Sequence, residues 1–235
     1  MAGMGEVTVR VAEELRFFLP AKRRRAAVRL PHDGTASTGH LVESLGVPLT
    51  EVGELRADGR PVPPAHRPAA GTEIDVPPVA RPQPAPPRFL LDVHLGKLAR
   101  RMRLLGLDTA YRNDAADDEL IAESARDGRV LLTQDRGILR RRAVRAGAYV
   151  RGQDPDEQLA DVLDRFAPPL APWTRCTACN HPLIPVSKED VAAEVRPGTR
   201  RTYDHYARCP ACLRIYWRGA HSRRIERIIR TARGR

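Results

Sequence analysis

A proline-rich stretch at residues 80–87, Ala-Arg-Pro-Gln-Pro-Ala-Pro-Pro, constrains the fold of this chain more than any other feature of the sequence. Proline has no backbone N–H to donate and fixes φ at about −65°, so this stretch cannot continue a helix or a central strand. It favours an extended, semi-rigid spacer. We therefore expect a domain boundary here, with one domain in residues 1–79 and the rest of the chain folded separately.

Residues 1–79 show the pattern of a small α+β domain. The predicted elements are strands at 7–11 and 26–30, a helix at 38–45, an Asp58-Gly59 turn and a last strand at 73–76. This order resembles the β-grasp, ubiquitin-like family, whose sulfur-carrier branch acts through a free C-terminal Gly-Gly. Here the last strand continues into Val-Pro-Pro-Val at 76–79. We therefore predict an interaction module that binds a protein partner, with a sulfur-transfer accessory as the less favoured alternative.

After the spacer, short apolar runs alternate with stretches that have apolar residues at helical spacing. The predicted strands are 89–91, 109–111, 129–133 and 148–150, and the predicted helices are 95–105, 118–126, 136–145 and 155–166. Such alternation is typical of an α/β fold with a parallel sheet flanked by helices. We assign this fold to residues 88–170.

Aspartates follow two of these strands and open one of the helices. Asp92 comes directly after the first strand, Asp135 follows the third, and Asp117 and Asp118 begin the helix before it. Because ligands bind outside the carboxyl ends of parallel strands, we expect these side chains at one edge of the sheet. Crowded carboxylates repel one another unless a cation neutralises them, and oxygen ligands suit Mg²⁺ or Mn²⁺. Simpler roles stay open for single residues: a helix N-cap for Asp118, a turn for Asp135 and a solvated strand end for Asp92.

The motifs around these aspartates resemble known nucleases. Residues 118–125, Asp-Glu-Leu-Ile-Ala-Glu-Ser-Ala, and 130–136, Val-Leu-Leu-Thr-Gln-Asp-Arg, resemble the second half of PIN-domain ribonucleases. Residues 92–100, Asp-Val-His-Leu-Gly-Lys-Leu-Ala-Arg, and 104–109, Leu-Leu-Gly-Leu-Asp-Thr, resemble more narrowly the Mut7-C ribonuclease domain. A ubiquitin-like domain ahead of the nuclease is an arrangement known for that family.

The resemblance implies a PIN-like fold and metal-dependent hydrolysis of RNA phosphodiester bonds. It places the catalytic residues and metal ligands at Asp92, Asp118 and Asp135, with Asp117 as the alternative if the register shifts by one residue. The implied cation is Mg²⁺ or Mn²⁺, which can activate water and stabilise charge on a phosphodiester.

All four cysteines of the chain occur in two Cys-x-x-Cys pairs, Cys176 with Cys179 and Cys209 with Cys212. Each pair can present two thiolates on one tight turn, and two turns complete a tetrahedral site. We therefore predict a structural Zn²⁺ in a zinc ribbon formed by residues 171–235, with a polar helix at 188–195 between the pairs. The alternative is a redox role for one pair, although the strand–helix context of thioredoxin-like motifs is missing.

The charge of the chain favours RNA as its partner. Forty Lys and Arg against 29 Asp and Glu give a formal net charge of +11, and neutralising phosphates releases condensed counterions. In the C-terminal tail, aromatic residues flanked by arginines are suited to stacking on bases and contacting phosphates. The residues predicted to contact RNA are Arg100, Arg136, Arg140, Arg141, Trp217, Arg218, His221, Arg223 and Arg224. Arg101 and Arg103 are expected on the same surface as Arg100.

The sequence has no run of 18 or more apolar residues, and its N-terminus has neither a basic start nor an apolar stretch. We therefore expect no membrane-spanning helix, no signal peptide and a cytoplasmic protein. The prediction as a whole is a ubiquitin-like module, a PIN-like ribonuclease and a zinc ribbon. The competing interpretation is a non-catalytic RNA-binding or ribosome-associated adaptor.

Overall fold

The computed structural model describes residues 5–24, 27–217, 226–228 and 230–231. The chain divides into two compact units. The first comprises Met1–Gln83 together with Thr133–Tyr149, and the second comprises Pro84–Leu132 together with Val150–Arg235. The break after Gln83 lies inside the proline-rich segment.

The described residues among the first 83 form a mixed sheet with one α-helix and three short 3₁₀ helices. Their elements are β1 (Gly5–Val11), β2 (Val28–His32), α1 (Thr38–Ser44), β3 (Arg56–Ala57), β4 (Arg60–Pro61) and β5 (Glu73–Val76), with 3₁₀ helices at Glu13–Phe18, Ala21–Arg23 and Leu49–Glu51. The strand order is β2-β1-β5-β3-β4, and β1 is antiparallel to β2 and parallel to β5. Asp58 and Gly59 form the predicted turn between β3 and β4, both with positive φ. This sheet is β-grasp-like, as predicted.

The alternating pattern of β1 builds the core of this sheet. Val7, Val9 and Val11 are buried on one face, while the polar residues between them lie on the other. Leu41 and Val42 of α1 are buried in the same apolar cluster. The alternate valines of the strand and the apolar residues of the helix therefore pack in one core.

The second unit begins with alternating strands and helices. These are β6 (Arg88–Leu91), α2 (Gly96–Leu104), β7 (Asp108–Tyr111), α3 (Asp117–Asp127) and β8 (Val130–Thr133). β6 lies between β7 and β8 and is parallel to both, with Leu91 paired to Tyr111 on one side and to Leu132 on the other. Phe89, Leu90 and Leu91 are completely buried, as in a parallel strand covered on both faces. The structure confirms the predicted parallel sheet flanked by helices.

The remaining elements before the ribbon are α4 (Arg136–Leu139) and β9 (Gly147–Tyr149), which belong to the first unit, and α5 (Pro155–Phe166), which belongs to the second. α5 packs against α2, and the rings of Phe89 and Phe166 lie 5.4 Å apart. No helix in the described part of the chain is long and apolar enough to cross a membrane.

The apolar pattern of 118–126 predicts Leu120, Ile121 and Ala125 on the inward face of α3, and this prediction is wrong at Ala125. Ser124 is buried and Ala125 is exposed, because Ser124 shares the helix face of Leu120 and Ile121. The Ser124 hydroxyl donates to the carbonyl of Arg129 at 2.7 Å, which satisfies its polar group inside the core.

The basic helix predicted at 136–145 is also wrong in length, because α4 ends at Leu139. Only Ile138 and Leu139 of α4 are buried, so this segment has no apolar stripe long enough to support further turns. In a continued helix Arg141 and Arg145 would lie four residues apart, a spacing at which like charges destabilise the helix.

The C-terminal part of the second unit is a three-stranded antiparallel sheet with the order β10-β11-β12. Its elements are β10 (Ile184–Val186), α6 (Pro197–Thr202), β11 (Tyr206–Arg208) and β12 (Ile215–Trp217). The polar helix predicted at 188–195 is wrong, since this stretch forms successive turns that bury Val191 and Val195 against Tyr206. A helix begins only at Pro197, whose ring suits the first turn of a helix.

Candidate functional site

The four cysteines are the one group of three or more His, Cys, Asp or Glu side chains, within the described residues, that could share a metal ion. The Sγ atoms of Cys176, Cys179, Cys209 and Cys212 all lie within 4.8 Å of one another. The closest pairs are Cys179 with Cys209 at 3.3 Å and Cys176 with Cys212 at 3.5 Å. Zn–S bonds of about 2.3 Å in a tetrahedron place the sulfurs about 3.8 Å apart. The donor set and its size therefore fit Zn²⁺.

Both cysteine pairs are held in the same kind of tight turn. In each, the amide of the second cysteine donates to the Sγ atom of the first, at 3.5 Å in one pair and 3.4 Å in the other. The residue after each pair, Asn180 or Leu213, has positive φ and donates its amide to the carbonyl of the first cysteine at 2.9 Å. The local backbone thus presents two sulfurs per turn before the two turns meet.

The thiols of this group do not ionise alike. Burial raises the pKa of Cys176, but the Tyr216 hydroxyl 3.0 Å away and the amides of Cys179 and Ala178 outweigh it and lower this pKa to about 6. Burial and the neighbouring thiols raise the pKa of Cys179 to about 12. One thiolate forms readily, and a second negative charge beside it is resisted. A bound cation removes this conflict.

Arg103 joins the first cysteine turn to α2 and β7. Its Nε atom donates to the carbonyl of Thr109 at 2.8 Å, and its Nη1 atom donates to Ala178 at 2.7 Å and Thr177 at 3.3 Å. The predicted place of Arg103 on an RNA-binding surface is wrong, because the residue is only 3% exposed. Burial lowers the pKa of its guanidinium, while the thiols of Cys179 and Cys176 oppose that shift. If the four cysteines hold a divalent ion as thiolates, the charge of Arg103 would offset part of their excess negative charge.

Asp108, at the start of β7, makes a second connection to the cysteine turn through hydrogen bonds. Its Oδ1 atom accepts hydrogen bonds from Arg129 at 2.7 Å and from the Asn180 side chain at 2.8 Å. Burial raises the pKa of Asp108, but these two hydrogen bonds outweigh it and hold the pKa below its usual value. The Asn180 side chain also accepts the amide of Thr109 at 2.9 Å. Nothing in the Cys-x-x-Cys spacing reveals these contacts, although an asparagine after the second cysteine suits the positive φ.

Asp92 lies at the carboxyl end of the central strand and is 4% exposed. Its amide donates to the carbonyl of Leu132 at 3.0 Å, which continues the pairing of β6 with β8. The Tyr111 hydroxyl donates to the carbonyl of Val93 at 2.9 Å, and a Cβ atom at Gly96 would lie only 2.6 Å from that hydroxyl. Glycine at 96 therefore lets Tyr111 close over the chain beside Asp92. The alternative of a solvated strand end is wrong for Asp92.

Asp117 and Asp118 are exposed residues in the first turn of α3. The N-cap is Ala116, so the alternative role of Asp118 as N-cap is wrong. Helical spacing aligns Asp117 with the buried Leu120 and Ile121, while Asp118 lies one position round the helix. Their charges favour the positive end of the helix dipole.

Asp135 is exposed and lies in the first unit, two residues after β8. Its Oδ1 atom accepts the amides of Gly137 at 2.6 Å and Ile138 at 3.4 Å, and its own amide donates to the Thr133 hydroxyl at 2.9 Å. Asp135 is therefore the N-cap of α4, and the cap uses one carboxylate oxygen.

The structure brings the predicted zinc ligands together, and it does not do the same for the predicted carboxylates of the second unit. Asp92, Asp117 and Asp118 are members of no group comparable to the cysteines in the described part of that unit. The convergence of these residues with Asp135 stays a prediction.

The predicted RNA-contacting residues fall into four sets. Arg100 is exposed on α2, while its neighbour Arg101 pairs with Asp156. Arg140 and Arg141 line an open cleft of about 230 Å³ together with His40, Glu43, Ser44 and Gly137 of the same unit. Trp217 is 38% exposed on β12, whereas Arg218, His221, Arg223 and Arg224 lie outside the described residues. The guanidinium of Arg136 lies against aromatic rings inside the first unit.

Two protein-family models match the chain. The model described as the Mut7-C RNAse domain matches residues 87–229, more than half of the chain, and the model described as Mut7-C ubiquitin matches residues 4–84. The longer match contains all four cysteines and all four candidate aspartates. No curated protein and no solved structure matches the chain.

Proposed function

The chain belongs to the Mut7-C RNAse domain family, and from this premise we propose that it is a metal-dependent ribonuclease that hydrolyses RNA phosphodiester bonds. Family membership indicates a nuclease-like protein, and the metal-dependent hydrolytic mechanism is our proposal. The observation that carries it is Asp92, a buried carboxylate at the carboxyl end of the central parallel strand. Sheets of this kind bind their ligands at that edge.

The strand register supports a joint site for the aspartates. Leu91 pairs with Leu132, so β6 and β8 end at the same level of the sheet. Asp92 follows this pair directly, and Asp135 is three residues beyond Leu132, a stretch that spans at most about 11 Å of extended chain. β7 ends at the same level, and α3 follows it through a short loop. Chain connectivity is therefore compatible with one acidic site.

In this proposal Asp92, Asp118 and Asp135 hold Mg²⁺ or Mn²⁺, with Asp117 as the alternative to Asp118. The ion would supply a polarised water and neutralise negative charge at the phosphate. The buried Asp92 provides a carboxylate whose position is fixed by the strand. The exposed Arg100, and Arg140 and Arg141 of the first unit, would contact the RNA backbone and fix its orientation.

A zinc ion in the four-cysteine group has a structural role in this proposal. Four thiolates complete its coordination shell and leave no open position for water or substrate. The four-cysteine cluster could hold a structural metal such as zinc, and the contacts of Arg103 and Asn180 would transmit its stabilising effect to α2 and β7.

RNA cleavage by the purified full-length protein tests the proposed function. Single-stranded, hairpin and structured RNAs are incubated with Mn²⁺ or Mg²⁺, the product ends are mapped, and the zinc content is measured throughout. We expect cleavage that depends on the added Mn²⁺ or Mg²⁺ and not on further Zn²⁺. Absence of cleavage of every RNA by folded, zinc-loaded protein would contradict the proposal.

The exposure of Asp117 and Asp118 favours a second candidate function, a non-catalytic RNA-binding adaptor. Titrating Mn²⁺ into the zinc-loaded protein while its unfolding temperature is measured separates the two. A ribonuclease should be stabilised by Mn²⁺, and replacing Asp92 by Asn should abolish that shift. An adaptor should bind RNA without any such response.

A further inference from the structure

One segment of the chain belongs to the nuclease match by sequence and to the N-terminal module by structure. Residues 133–149 lie within the Mut7-C RNAse match at 87–229. The structure nevertheless groups them in one compact unit with the residues of the Mut7-C ubiquitin match. This segment carries Asp135, so the module contacts the part of the chain that presents a candidate metal ligand.

The side chain next to Asp135 is held by three aromatic rings. The Arg136 guanidinium carbon lies 5.1 Å from the ring centre of Phe18, 5.4 Å from Phe17 and 5.9 Å from Tyr149. Its Nη1 atom also donates to the backbone carbonyl of Phe18 at 3.3 Å. A guanidinium within about 6 Å of a ring centre is attracted by the negative face of the ring.

The far end of the segment is fixed to the same module. The buried carboxylate of Glu51, which is 1% exposed, accepts the amide of Tyr149 at 2.8 Å. The Tyr149 ring packs on Phe17 and Phe18 at 5.4 Å and 5.2 Å and joins the apolar cluster of the β-grasp-like sheet. Both ends of the segment are therefore attached to the module, near Asp135 and at β9.

We propose that the N-terminal module is a positioning element in cis, which holds Arg136 and thereby fixes the turn in which Asp135 caps α4. Arg136 is then a positioning residue, since its guanidinium is engaged by the rings of Phe17, Phe18 and Tyr149 and by the Phe18 carbonyl. The catalytic consequence rests on the proposed function of Asp135, but the positioning itself does not. The contact is intramolecular and needs no protein partner.

Amide hydrogen exchange of the full-length protein tests the positioning. Arg136→Gln removes the cation and should speed the exchange of amides 137–139 by about 5- to 30-fold, the factor that corresponds to loss of a partly desolvated cation–ring contact. Arg136→Lys keeps the cation and should restore most of the protection. Arg142→Gln is the matched control, because it removes the same charge from an exposed arginine of the same segment. It should exchange like the wild type.

A substitution in the N-terminal module provides a second test of the positioning, which is needed if Arg136→Gln unfolds the protein. Phe17→Leu removes one ring of the cage at a half-buried position and keeps an apolar side chain there. It should speed exchange at 137–139 while peptides from 84–132 exchange as in the wild type. Unchanged exchange at 137–139 in both variants would overturn the proposal, as would an equal increase over both units.

Cleavage assays then connect the positioning to chemistry. If Asp135 is a metal ligand, Arg136→Gln should lower kcat and raise the Mn²⁺ concentration needed for half-maximal rate, with KM for RNA unchanged. A role in RNA binding predicts the opposite, a raised KM at unchanged kcat, and would overturn the assignment of Arg136. If the wild type cleaves no RNA, the proposed function fails, while the exchange data still decide the positioning.

Discussion

The four cysteines and the four aspartates differ in how the chain assembles them. Each cysteine pair sits in a turn that closes on itself through short-range hydrogen bonds, and only two such turns have to meet. The aspartates come from a strand end, a helix start and a turn that belongs to the other unit. Local spacing therefore specifies the cysteine group, whereas an acidic site depends on how separate elements are placed.

Loss of a zinc ligand should have the largest effect on stability. It tests whether the locally specified cysteine group binds zinc. Cys176→Ser should lose stoichiometric zinc and unfold the ribbon, because structural zinc sites contribute apparent free energies of about 10 kcal/mol or more. Zinc content and circular dichroism measure this. Ala178→Ser is the matched control, since it adds a hydroxyl to the same turn and keeps all four ligands. Retention of zinc by Cys176→Ser would show that the ion is bound elsewhere.

Replacing Arg103 tests whether the stability of the cysteine turn depends on its contacts with α2 and β7. Arg103→Met leaves the buried carbonyl of Thr109 and the part-buried carbonyl of Ala178 without their donor and should cost about 3 kcal/mol of unfolding free energy. Denaturant unfolding measures the free energy of unfolding, and zinc release followed in the same experiment reports on the cysteine turn. Arg100→Met, on the exposed side of the same helix, should change stability by less than about 0.5 kcal/mol. Equal stability of the two variants would mean that the ribbon and α2 are not coupled.

Substitutions in the first turn of α3 test which of its two aspartates is the metal ligand. Resemblance assigns the metal ligand to Asp118, so Asp118→Asn should lower kcat by about 100-fold, an activation free energy of about 2.7 kcal/mol. Asp117→Asn should lower it far less. Glu119→Gln removes the same charge one position along and controls for the helix dipole. The reverse ranking would transfer the role to Asp117, which shares the helix face of the buried Leu120.

A smaller effect is expected at the exposed face of the ribbon. Trp217→Ala should weaken single-stranded RNA binding by about tenfold, because stacking of one base contributes about 1–3 kcal/mol. Fluorescence anisotropy with labelled RNA at fixed salt measures the change. Ile184→Ala, at another exposed apolar position of the same sheet, is the control. An equal loss in both variants would indicate that apolar area, and not stacking, binds the RNA.

The sequence predicts the elements well where the pattern is local. Helix α5 has the predicted bounds, Asp58-Gly59 forms its turn, and the cysteine spacing places four sulfurs together. In each case residues close in sequence decide the outcome through capping, positive φ or a short hydrogen bond. The errors in α4 and at 188–195 have the same origin, because polar segments without an apolar stripe give no helical signal strong enough to set a length.

What the sequence could not give is contact between distant segments. In the sequence Arg103 cannot be told from the exposed Arg100, and only its contacts with the cysteine turn make it a buried donor. Likewise nothing near Arg136 indicates that Phe17 and Phe18, more than a hundred residues earlier, provide its binding site. The membership of 133–149 in the first unit follows from such contacts and has no local pattern.

Single-turnover cleavage of RNA by wild type and Asp92→Asn tests the central claim most directly, because Asn keeps the size of the buried side chain and removes its charge. The variant should retain its zinc and its unfolding temperature. We predict that its cleavage rate falls by about a thousandfold, since a lost metal ligand removes several kcal/mol of transition-state stabilisation. Its RNA affinity should stay equal or rise. Cleavage at the wild-type rate would contradict the acidic metal site.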